Sequence, residues 1–203
     1  MAVLLAAAGV VAVADWIAVW RRPSRSEAAL KPLVLVLLVG AALLADPASD
    51  AQRWWFVAAL VLSLAGDVFL LPQVDRFVPG LASFLLAHVA YVAGFWQHDE
   101  GGTPLLLVPA ALALAVVAWV VVRSVRASEP ELLGPVVAYV AVITAMLAAA
   151  ILRGDGVAVA GAALFCTSDS ILALDRFQRP RRWGPVAVMT TYHLAQGLLV
   201  MSL

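Results

Sequence analysis

The sequence consists of apolar runs of roughly membrane-crossing length, separated by short segments rich in Gly, Pro and charged residues. A bilayer core about 30 Å thick needs roughly 20 helical residues to cross it. Hydrophobic residues make up 64% of the 203 residues and charged residues only 13%, so too little polar surface remains to cover a water-soluble globule. The chain is therefore predicted to be an all-α, polytopic membrane bundle.

Turn-rich segments such as PQVDRFVPG and RGDG divide the chain into eight predicted transmembrane helices within a single domain, 1–203. The second helix has a short apolar run, which requires tilt or local thinning of the bilayer. The first run has an alternative interpretation as a cleaved signal peptide, but it lacks a basic start and stays apolar through Trp20. The predicted helices lie near residues 2–20, 30–45, 54–72, 78–96, 104–122, 132–152, 157–175 and 183–202.

The positions of the charged residues along the chain are more informative than their number. The 13 basic residues balance 13 acidic ones, so the net charge gives no sign of a nucleic-acid partner, and none is expected. The even-numbered connections between helices hold only Arg53 and Arg153, and all the other Lys and Arg residues lie in the odd-numbered connections. By the positive-inside rule the odd connections face the cytoplasm. Both termini are then expected outside, across the inner membrane if the host is a bacterium.

Two aspartates lie inside apolar helices, where a charged Asp costs roughly 2.5 to 3.5 kcal/mol on insertion scales. Asp67 in GDVFLLPQVDRF and Asp169 in SDSILALDRF sit at matching depth in similar surroundings, four helices apart. His88 and His193 follow on the next helix in each case. Each Asp is therefore expected to have a His beside it. The two phrases also indicate a 4+4 parallel internal repeat.

Helical spacing places further polar side chains on the same faces as these Asp and His residues. Most lie toward the cytoplasmic side, so a polar cavity is expected to open inward. The apolar run of helix 5 offers no chemistry and is expected to face lipid, and His98 is expected to be a solvated loop residue. The further candidates are Asp15, Lys31, Ser63, Tyr91, Tyr139, Tyr192 and Gln196.

Each polar residue also has a purely structural interpretation. A single Asp or His in a membrane helix can simply hydrogen-bond a neighbouring helix, a contact worth about 0.6 kcal/mol on average. Lys31 is open to interpretation as an interfacial anchor whose ammonium reaches the membrane surface. Asp75-Arg76 and Asp175-Arg176 are expected to be helix-end ion pairs.

The motifs GDVFLL, FLLAHVAY, SDSILALDRF and TYHLAQGLLV, with Lys31-Pro32 at the start of helix 2, resemble the YhhN-like lysoplasmalogenase family over nearly the whole chain. The resemblance implies an enzyme that hydrolyses the vinyl ether bond of a lysophospholipid substrate, the lysoplasmalogen. It releases a fatty aldehyde and glycerophosphoethanolamine or glycerophosphocholine, without a cofactor or metal. The resemblance marks Asp67 and Asp169 as the catalytic pair, with a substrate pocket lined by Lys31, His88, Tyr91, Tyr192, His193 and Gln196, to which Tyr139 is added.

Vinyl ether hydrolysis begins with protonation of the alkene carbon, which gives an oxocarbenium ion that water captures. Two carboxyl groups in one water-poor cavity can supply both an acid and a carboxylate, as they do in glycosidases. One of Asp67 and Asp169 is therefore expected to act as the acid and the other as the base. His88 and His193 are expected to orient them or relay protons, while Lys31 and the loop arginines hold the phosphate.

Two alternatives use the same residues. A proton-coupled transporter also needs buried Asp and His, but its polar groups would lead to both membrane faces. A zinc-dependent lipid hydrolase would gather the two Asp and two His around one ion.

Overall fold

The computed structural model describes residues 1–21, 26–97 and 101–203. Within these ranges the chain forms eight α-helices and two short 3-10 turns, Pro104–Leu106 and Pro130–Leu132. Arg22, Arg25 and His98, which the sequence places in polar connections, lie outside the described residues. The helices are α1 Ala2–Arg21, α2 Glu27–Leu43, α3 Asp50–Phe69, α4 Phe77–Phe95, α5 Leu107–Ser128, α6 Leu133–Arg153, α7 Gly156–Phe177 and α8 Gly184–Met201.

Several helices extend beyond their apolar runs. α2 begins at Glu27 and α3 at Asp50, each earlier than predicted. An acidic residue in the first turn stabilises a helix N-terminus through the helix dipole, so a polar turn precedes each apolar run. At its C-terminal end, α5 continues through a basic turn to Ser128. Hydropathy identifies the apolar, membrane-embedded part of such a helix and misses its polar ends.

Five helical segments of the described chain are long and apolar enough to cross a membrane. They are Ala2–Arg21, Phe77–Phe95, Pro104–Ser128, Pro130–Arg153 and Gly156–Phe177. α2, α3 and α8 fall outside this set, and α2 has only 17 residues. The chain is an all-helical, multi-pass membrane protein.

Six helices form a closed ring in the order α2, α3, α4, α6, α7 and α8, with α8 returning to α2. α1 lies outside the ring against α2 and α8, and α5 lies outside it against α6 and α7. Although α4 and α5 follow each other in the chain, α4 packs against α6 and makes no extensive contact with α5. The two helices that carry Asp67 and Asp169, α3 and α7, are both members of this ring, and a seam remains between α4 and α5.

Small residues bring the ring helices close together, as is common in membrane bundles. A side chain at Gly66 would meet the ring of Phe84, and one at Gly94 would meet Phe56. The space beside these glycines is filled by aromatic rings in edge-to-face contact, including the pair Phe84 and Tyr192 with centroids 5.7 Å apart. This aromatic core lies directly beside the buried polar residues of the candidate site.

The turn between α6 and α7 follows from its sequence RGDG. Gly154 ends α6 with φ of +95°, a conformation that residues with a side chain rarely adopt. Asp155 then caps α7, because its side chain accepts a hydrogen bond of 2.8 Å from the Val157 N–H. The turn also receives a hydrogen bond from the Gly102 N–H to the Leu152 carbonyl. The start of the segment leading to α5 is thereby attached to the end of α6.

α5 is the most exposed helix, with only Val121 and Val125 buried along its 22 residues. This exposure agrees with the prediction that helix 5 faces lipid. Leu114, Val117 and Ala118 nevertheless cover an internal cavity. One stripe of α5 therefore belongs to the interior.

The predicted ion pair between Asp175 and Arg176 is wrong. Asp175 accepts a 2.8 Å hydrogen bond from Arg181, while Arg176 donates one of 2.9 Å to Glu129. Adjacent residues on a helix point in different directions, so each finds a partner on another segment. Asp75 lies in a turn with φ of +47°, and the described residues contain no ion pair between it and its neighbour Arg76.

Candidate active site

Asp67 is held by two donors from neighbouring helices. Its side chain is 1% exposed, and the ammonium of Lys31 on α2 lies 3.2 Å from Oδ1. The hydroxyl of Tyr192 on α8 donates a 2.9 Å hydrogen bond to Oδ2. A cation and a hydroxyl donor both stabilise the ionised form, so Asp67 is arranged as a carboxylate. The interpretation of Lys31 as an interfacial anchor is wrong, because its ammonium points inward.

Asp169 has different partners. The hydroxyl of Tyr139 on α6 donates a 2.5 Å hydrogen bond to its Oδ2, and Nε2 of His88 on α4 lies 3.6 Å from the same oxygen. No Lys or Arg ion pair to Asp169 is found in the described part of the chain. Its side chain is 14% exposed, so Asp169 is also more accessible than Asp67.

The tautomer of His88 follows from its other contact. Nδ1 lies 2.6 Å from the Phe84 carbonyl oxygen, which can only accept a hydrogen bond, so Nδ1 must carry a proton. A neutral His88 then presents the Nε2 lone pair to Asp169, which suits a protonated carboxyl group. A charged His88 presents an N–H, which suits a carboxylate. The 3.6 Å separation is longer than a direct hydrogen bond, so the structure places a titratable ring next to Asp169 without joining the two.

The expected pairing of each Asp with the His on the next helix is wrong. His88 follows Asp67 in the chain but contacts Asp169, because α4 lies next to α6 in the ring and the His88 ring reaches side chains of α7. Nδ1 of His193 accepts a 3.1 Å hydrogen bond from Trp16 on α1. The sequence predicts how deep each Asp and His lies in the membrane. Which helix each of them faces depends on how the ring of helices closes.

One cavity of about 270 Å³ brings the two carboxylates together. Asp67 and Asp169 both line it, together with Lys31, Tyr192 and the ring of Phe84. Its other end is lined by charged residues, Glu27 at the start of α2 and the ion pair of Asp175 with Arg181. We call this space the polar cavity. It joins an acidic pair to a charged end, an arrangement that fits an amphiphile with a polar headgroup.

Tyr91 and Gln196 form a second layer deeper in the bundle. The Tyr91 hydroxyl donates a hydrogen bond to the Gln196 side-chain oxygen, and both residues are fully buried. Neither lines the polar cavity. Together they join α4 to α8, so the structure places them as a brace between two helices that carry site residues.

The remaining sequence candidates fall near the site but outside its cavity. Asp15 is fully buried on α1, and neither of its carboxylate oxygens has a hydrogen-bond partner within the described residues. Ser63, one helical turn before Asp67, is buried with its hydroxyl likewise unpartnered there. His193 lines a separate groove between α1, α2 and α8. These residues surround the acidic pair without facing the same space.

Sequence reasoning missed several residues that line the cavity, of which two have a clear role. Glu27 lines it near Lys31, and the spacing of one helical turn between them was an available signal. Phe84 supplies both the carbonyl that fixes His88 and a ring that lines the cavity. An aromatic residue in an apolar helix carries no signal for such a role.

The zinc alternative requires several ligating side chains around one point. Within residues 1–21, 26–97 and 101–203, no group of three or more His, Cys, Asp and Glu side chains is placed to hold a metal ion. His193 in particular is turned toward Trp16. The two His and two Asp of this alternative therefore do not form one cluster within the described chain.

Similar proteins carry one recurring name. The chain is 36% identical to human lysoplasmalogenase TMEM86B over 177 residues, covering 86% of this chain and 74% of the human protein. It is 32% identical to the mouse lysoplasmalogenase TMEM86B over 191 residues, covering 92% and 79%. The lysoplasmalogenase of Mycobacterium tuberculosis (strain CDC 1551 / Oshkosh) is 31% identical over 180 residues, covering 85% and 68%. No solved structure matches the chain.

A family model gives the same indication. The model of the YhhN family matches residues 26–203, which include the acidic pair and every helix of the ring. With this match and these relatives, the chain belongs to the YhhN family.

Proposed function

We propose that this protein is a lysoplasmalogenase, which hydrolyses the vinyl ether bond of a lysoplasmalogen. The products are a fatty aldehyde and glycerophosphoethanolamine or glycerophosphocholine. The names of the curated relatives support this reaction. The observation that carries the proposal is a single cavity lined by two carboxyl groups with different partners, one beside a cation and one beside a histidine.

The reaction needs one proton at carbon and one water molecule. A proton added to the alkene carbon remote from oxygen leaves an oxocarbenium ion at the carbon that bears the ether oxygen. Water adds to that carbon and loses a proton, giving a hemiacetal. The hemiacetal then collapses, its hydroxyl proton leaves, and the glycerol oxygen takes up a proton as the C–O bond breaks. The net change is addition of one water, with no redox step.

Asp169 is assigned as the general acid. His88 lies next to it, with Nε2 3.6 Å from Oδ2 and with its Nδ1–H fixed by the Phe84 carbonyl. The Tyr139 hydroxyl holds the carboxyl group in place through Oδ2. After Asp169 gives its proton to the alkene carbon, His88 is placed to share the proton that replaces it. General acid catalysis by a positioned group is typically worth 10²- to 10⁴-fold.

Asp67 is assigned as the permanent carboxylate. The adjacent Lys31 ammonium and the Tyr192 hydroxyl keep it ionised throughout the cycle. A fixed negative charge in a water-poor cavity stabilises the oxocarbenium ion and orients the attacking water. The substrate phosphate is assigned to the two cationic side chains that line the cavity, Lys31 and Arg181, each of which is already paired with a carboxylate.

We infer further that all eight helices cross the membrane and that α1–α4 and α5–α8 form two parallel repeats. Corresponding contacts support the repeat: α3 packs on α4 as α7 packs on α8, and α4 packs on α6 as α8 packs on α2. The excess of Lys and Arg in the odd connections supports termini outside, with the charged end of the polar cavity facing the cytoplasm. In a bacterium this membrane would be the inner one.

The direct test is turnover by the purified protein in lipid nanodiscs. Lysoplasmenylethanolamine is added, and free aldehyde and glycerophosphoethanolamine are measured in equal amounts. In D₂O, proton transfer to carbon predicts one deuterium on the carbon next to the aldehyde, detected by mass spectrometry after immediate reduction to the alcohol. An ester-linked lysophospholipid is the matched control, and it should not be cleaved.

Two results would contradict the proposal. Absence of aldehyde from every vinyl ether lysolipid would remove the activity itself. Aldehyde without deuterium at the adjacent carbon would leave the activity but exclude carbon protonation, and with it the role assigned to Asp169.

A further inference from the structure

A second internal space lies on the other side of Asp169. It is an apolar crevice between α4, α5, α6 and α7, which extends along α7 from Cys166 to Phe177. At 1.5 Å per residue this distance is about 16 Å. The lining is almost entirely hydrocarbon and aromatic, with Asp169 as its acidic residue. We call this space the apolar crevice.

The apolar crevice and the polar cavity meet at the acidic pair. Leu70, Phe84, Asp169 and Leu172 line both spaces. Asp169 therefore faces hydrocarbon on one side and, across the junction, the space shared with Asp67 and the charged residues. A site of this shape matches a molecule that is polar at one end and aliphatic at the other, with the reacting bond between the two parts.

We infer that the apolar crevice binds the hydrocarbon chain of a single-chain amphiphile, with the first carbons of that chain beside Asp169. This inference rests on the proposed function for the identity of the substrate, but the binding itself does not depend on turnover. The polar cavity then takes the glycerophosphate part. The vinyl ether bond, which joins chain to glycerol, falls at the junction where both carboxyl groups are present.

The seam between α4 and α5 gives this chain a route from the membrane. α4 packs on α6 and makes no extensive contact with α5, so the crevice is bounded on this side by two helices that are not packed together. A lipid chain in the bilayer can enter sideways between them. The chain moves from one hydrocarbon environment to another, which supplies little hydrophobic driving force, so selectivity must come from the headgroup end.

A second apolar groove could compete for the chain. It lies between α1, α2 and α8 and is also apolar, with Trp16 and His193 at its polar end. Neither Asp67 nor Asp169 lines this groove. A chain bound there would be separated from the acidic pair, so the location of the chain distinguishes a productive site from a lipid contact.

Photo-crosslinking locates the chain without any need for hydrolysis. The probe is a lysophosphoethanolamine with a saturated ether chain that carries a diazirine near its middle, incorporated into nanodiscs of diacyl lipid. Peptide mapping by mass spectrometry should find most of the label on crevice residues of α5, α6 and α7, such as Val117, Val140 and Ala173. Label concentrated on α1, α2 and α8, or spread over the whole lipid-facing surface, would overturn the inference.

Substitutions that fill the crevice provide the functional counterpart. Ala118→Phe on α5 and Ala173→Phe on α7 each place a ring inside it. Crosslinking there should fall at least tenfold, and turnover of long-chain lysoplasmalogen should fall by a similar factor, while a short-chain analogue is cleaved nearly normally. The matched control is Ala115→Phe, an exposed position on the same helix that does not line the crevice, which should change neither result.

The outcomes separate the two proposals. Crevice labelling that disappears in Ala118→Phe, in a protein that releases no aldehyde, would support chain binding and contradict the lysoplasmalogenase activity. Normal aldehyde release with unchanged chain-length preference in both filled variants would contradict chain binding and leave the activity intact.

Discussion

The surroundings of Asp67 and Asp169 differ although the two phrases that contain them are similar. Asp67 lies between Lys31 and Tyr192 and is almost fully enclosed. Asp169 lies between Tyr139 and His88 and borders the apolar crevice. One carboxyl group has a permanent cation beside it and the other has a group that can accept or give a proton. Two similar sequence motifs thus lie in two environments that suit different chemical roles.

This difference shows how a site with two aspartates can give them different chemical roles. Two carboxyl groups with the same partners would share one proton and leave their roles interchangeable. Here Lys31 occupies only the Asp67 side, and the hydrocarbon chain is expected only on the Asp169 side. The assignment of acid and base therefore comes from the neighbours of each Asp.

The largest effect is expected when the acid is removed. Asp169→Asn keeps the shape and the hydrogen bond from Tyr139 but has no proton to give, so kcat should fall about 10³-fold. The rate of aldehyde release in nanodiscs measures kcat. Asp155→Asn is the matched control, since Asn also caps a helix and Asp155 lies in the α6–α7 turn; its kcat should not change. A kcat for Asp169→Asn within tenfold of the native protein would exclude it as the acid.

A slightly smaller effect is expected when the cation is removed. Lys31→Met leaves the Asp67 carboxylate buried without its partner, and breaking one side of a buried pair costs about 3 kcal/mol or more. The free energy of unfolding, measured by steric trapping in micelles, should fall by this amount. The double variant Lys31→Met with Asp67→Asn should recover most of the stability but not the turnover. No recovery in the double variant would show that Lys31 does not act through Asp67.

The two tyrosines test whether the acidic residues differ in charge. A hydrogen bond to a charged group is worth roughly 1.5 to 3 kcal/mol and one between neutral groups roughly 0.5 to 1.5 kcal/mol. Tyr192→Phe should therefore lower the free energy of unfolding by about 2 kcal/mol and Tyr139→Phe by about 1 kcal/mol. The same unfolding assay measures both. Equal losses, or a larger loss for Tyr139→Phe, would contradict the assignment of Asp67 as the carboxylate.

The smallest effect is expected away from the acidic pair. Trp16→Phe removes the hydrogen bond to His193, and such contacts inside membrane proteins average about 0.6 kcal/mol. Stability should change by about that amount and kcat by less than twofold, measured with the same assays. A tenfold loss of kcat would place His193 in the catalytic machinery after all.

Much of the fold was predictable because it depends on local sequence. Apolar runs and turn residues predict the eight helices with ends within six residues of those observed, and Asp67 and Asp169 stood out because charge is costly in such runs. Lys31 was also identifiable from its position at the start of α2. What these predictions share is that each needs only the residue and its immediate neighbours in the chain.

The pairing of helices was not predictable in the same way. That His88 meets Asp169 depends on α4 packing against α6 instead of against α5, which no local pattern specifies. The burial of Arg153, which the sequence places in a polar connection, was likewise not predictable. Its guanidinium donates a 2.9 Å hydrogen bond to the Ser202 carbonyl, 49 residues away in the chain. Such partners are fixed by packing alone.

Because Gly66 has no side chain, a neighbouring aromatic ring can occupy the space beside it. The Phe84 ring occupies the space where a Cβ would stand, within 2.7 Å of its expected position, and the same ring lines both halves of the binding site. Gly66→Ala would force that ring to shift while leaving every ionisable group in place. Slower turnover in this variant, with lysolipid binding retained, would show that the position of one ring governs access to the two carboxyl groups.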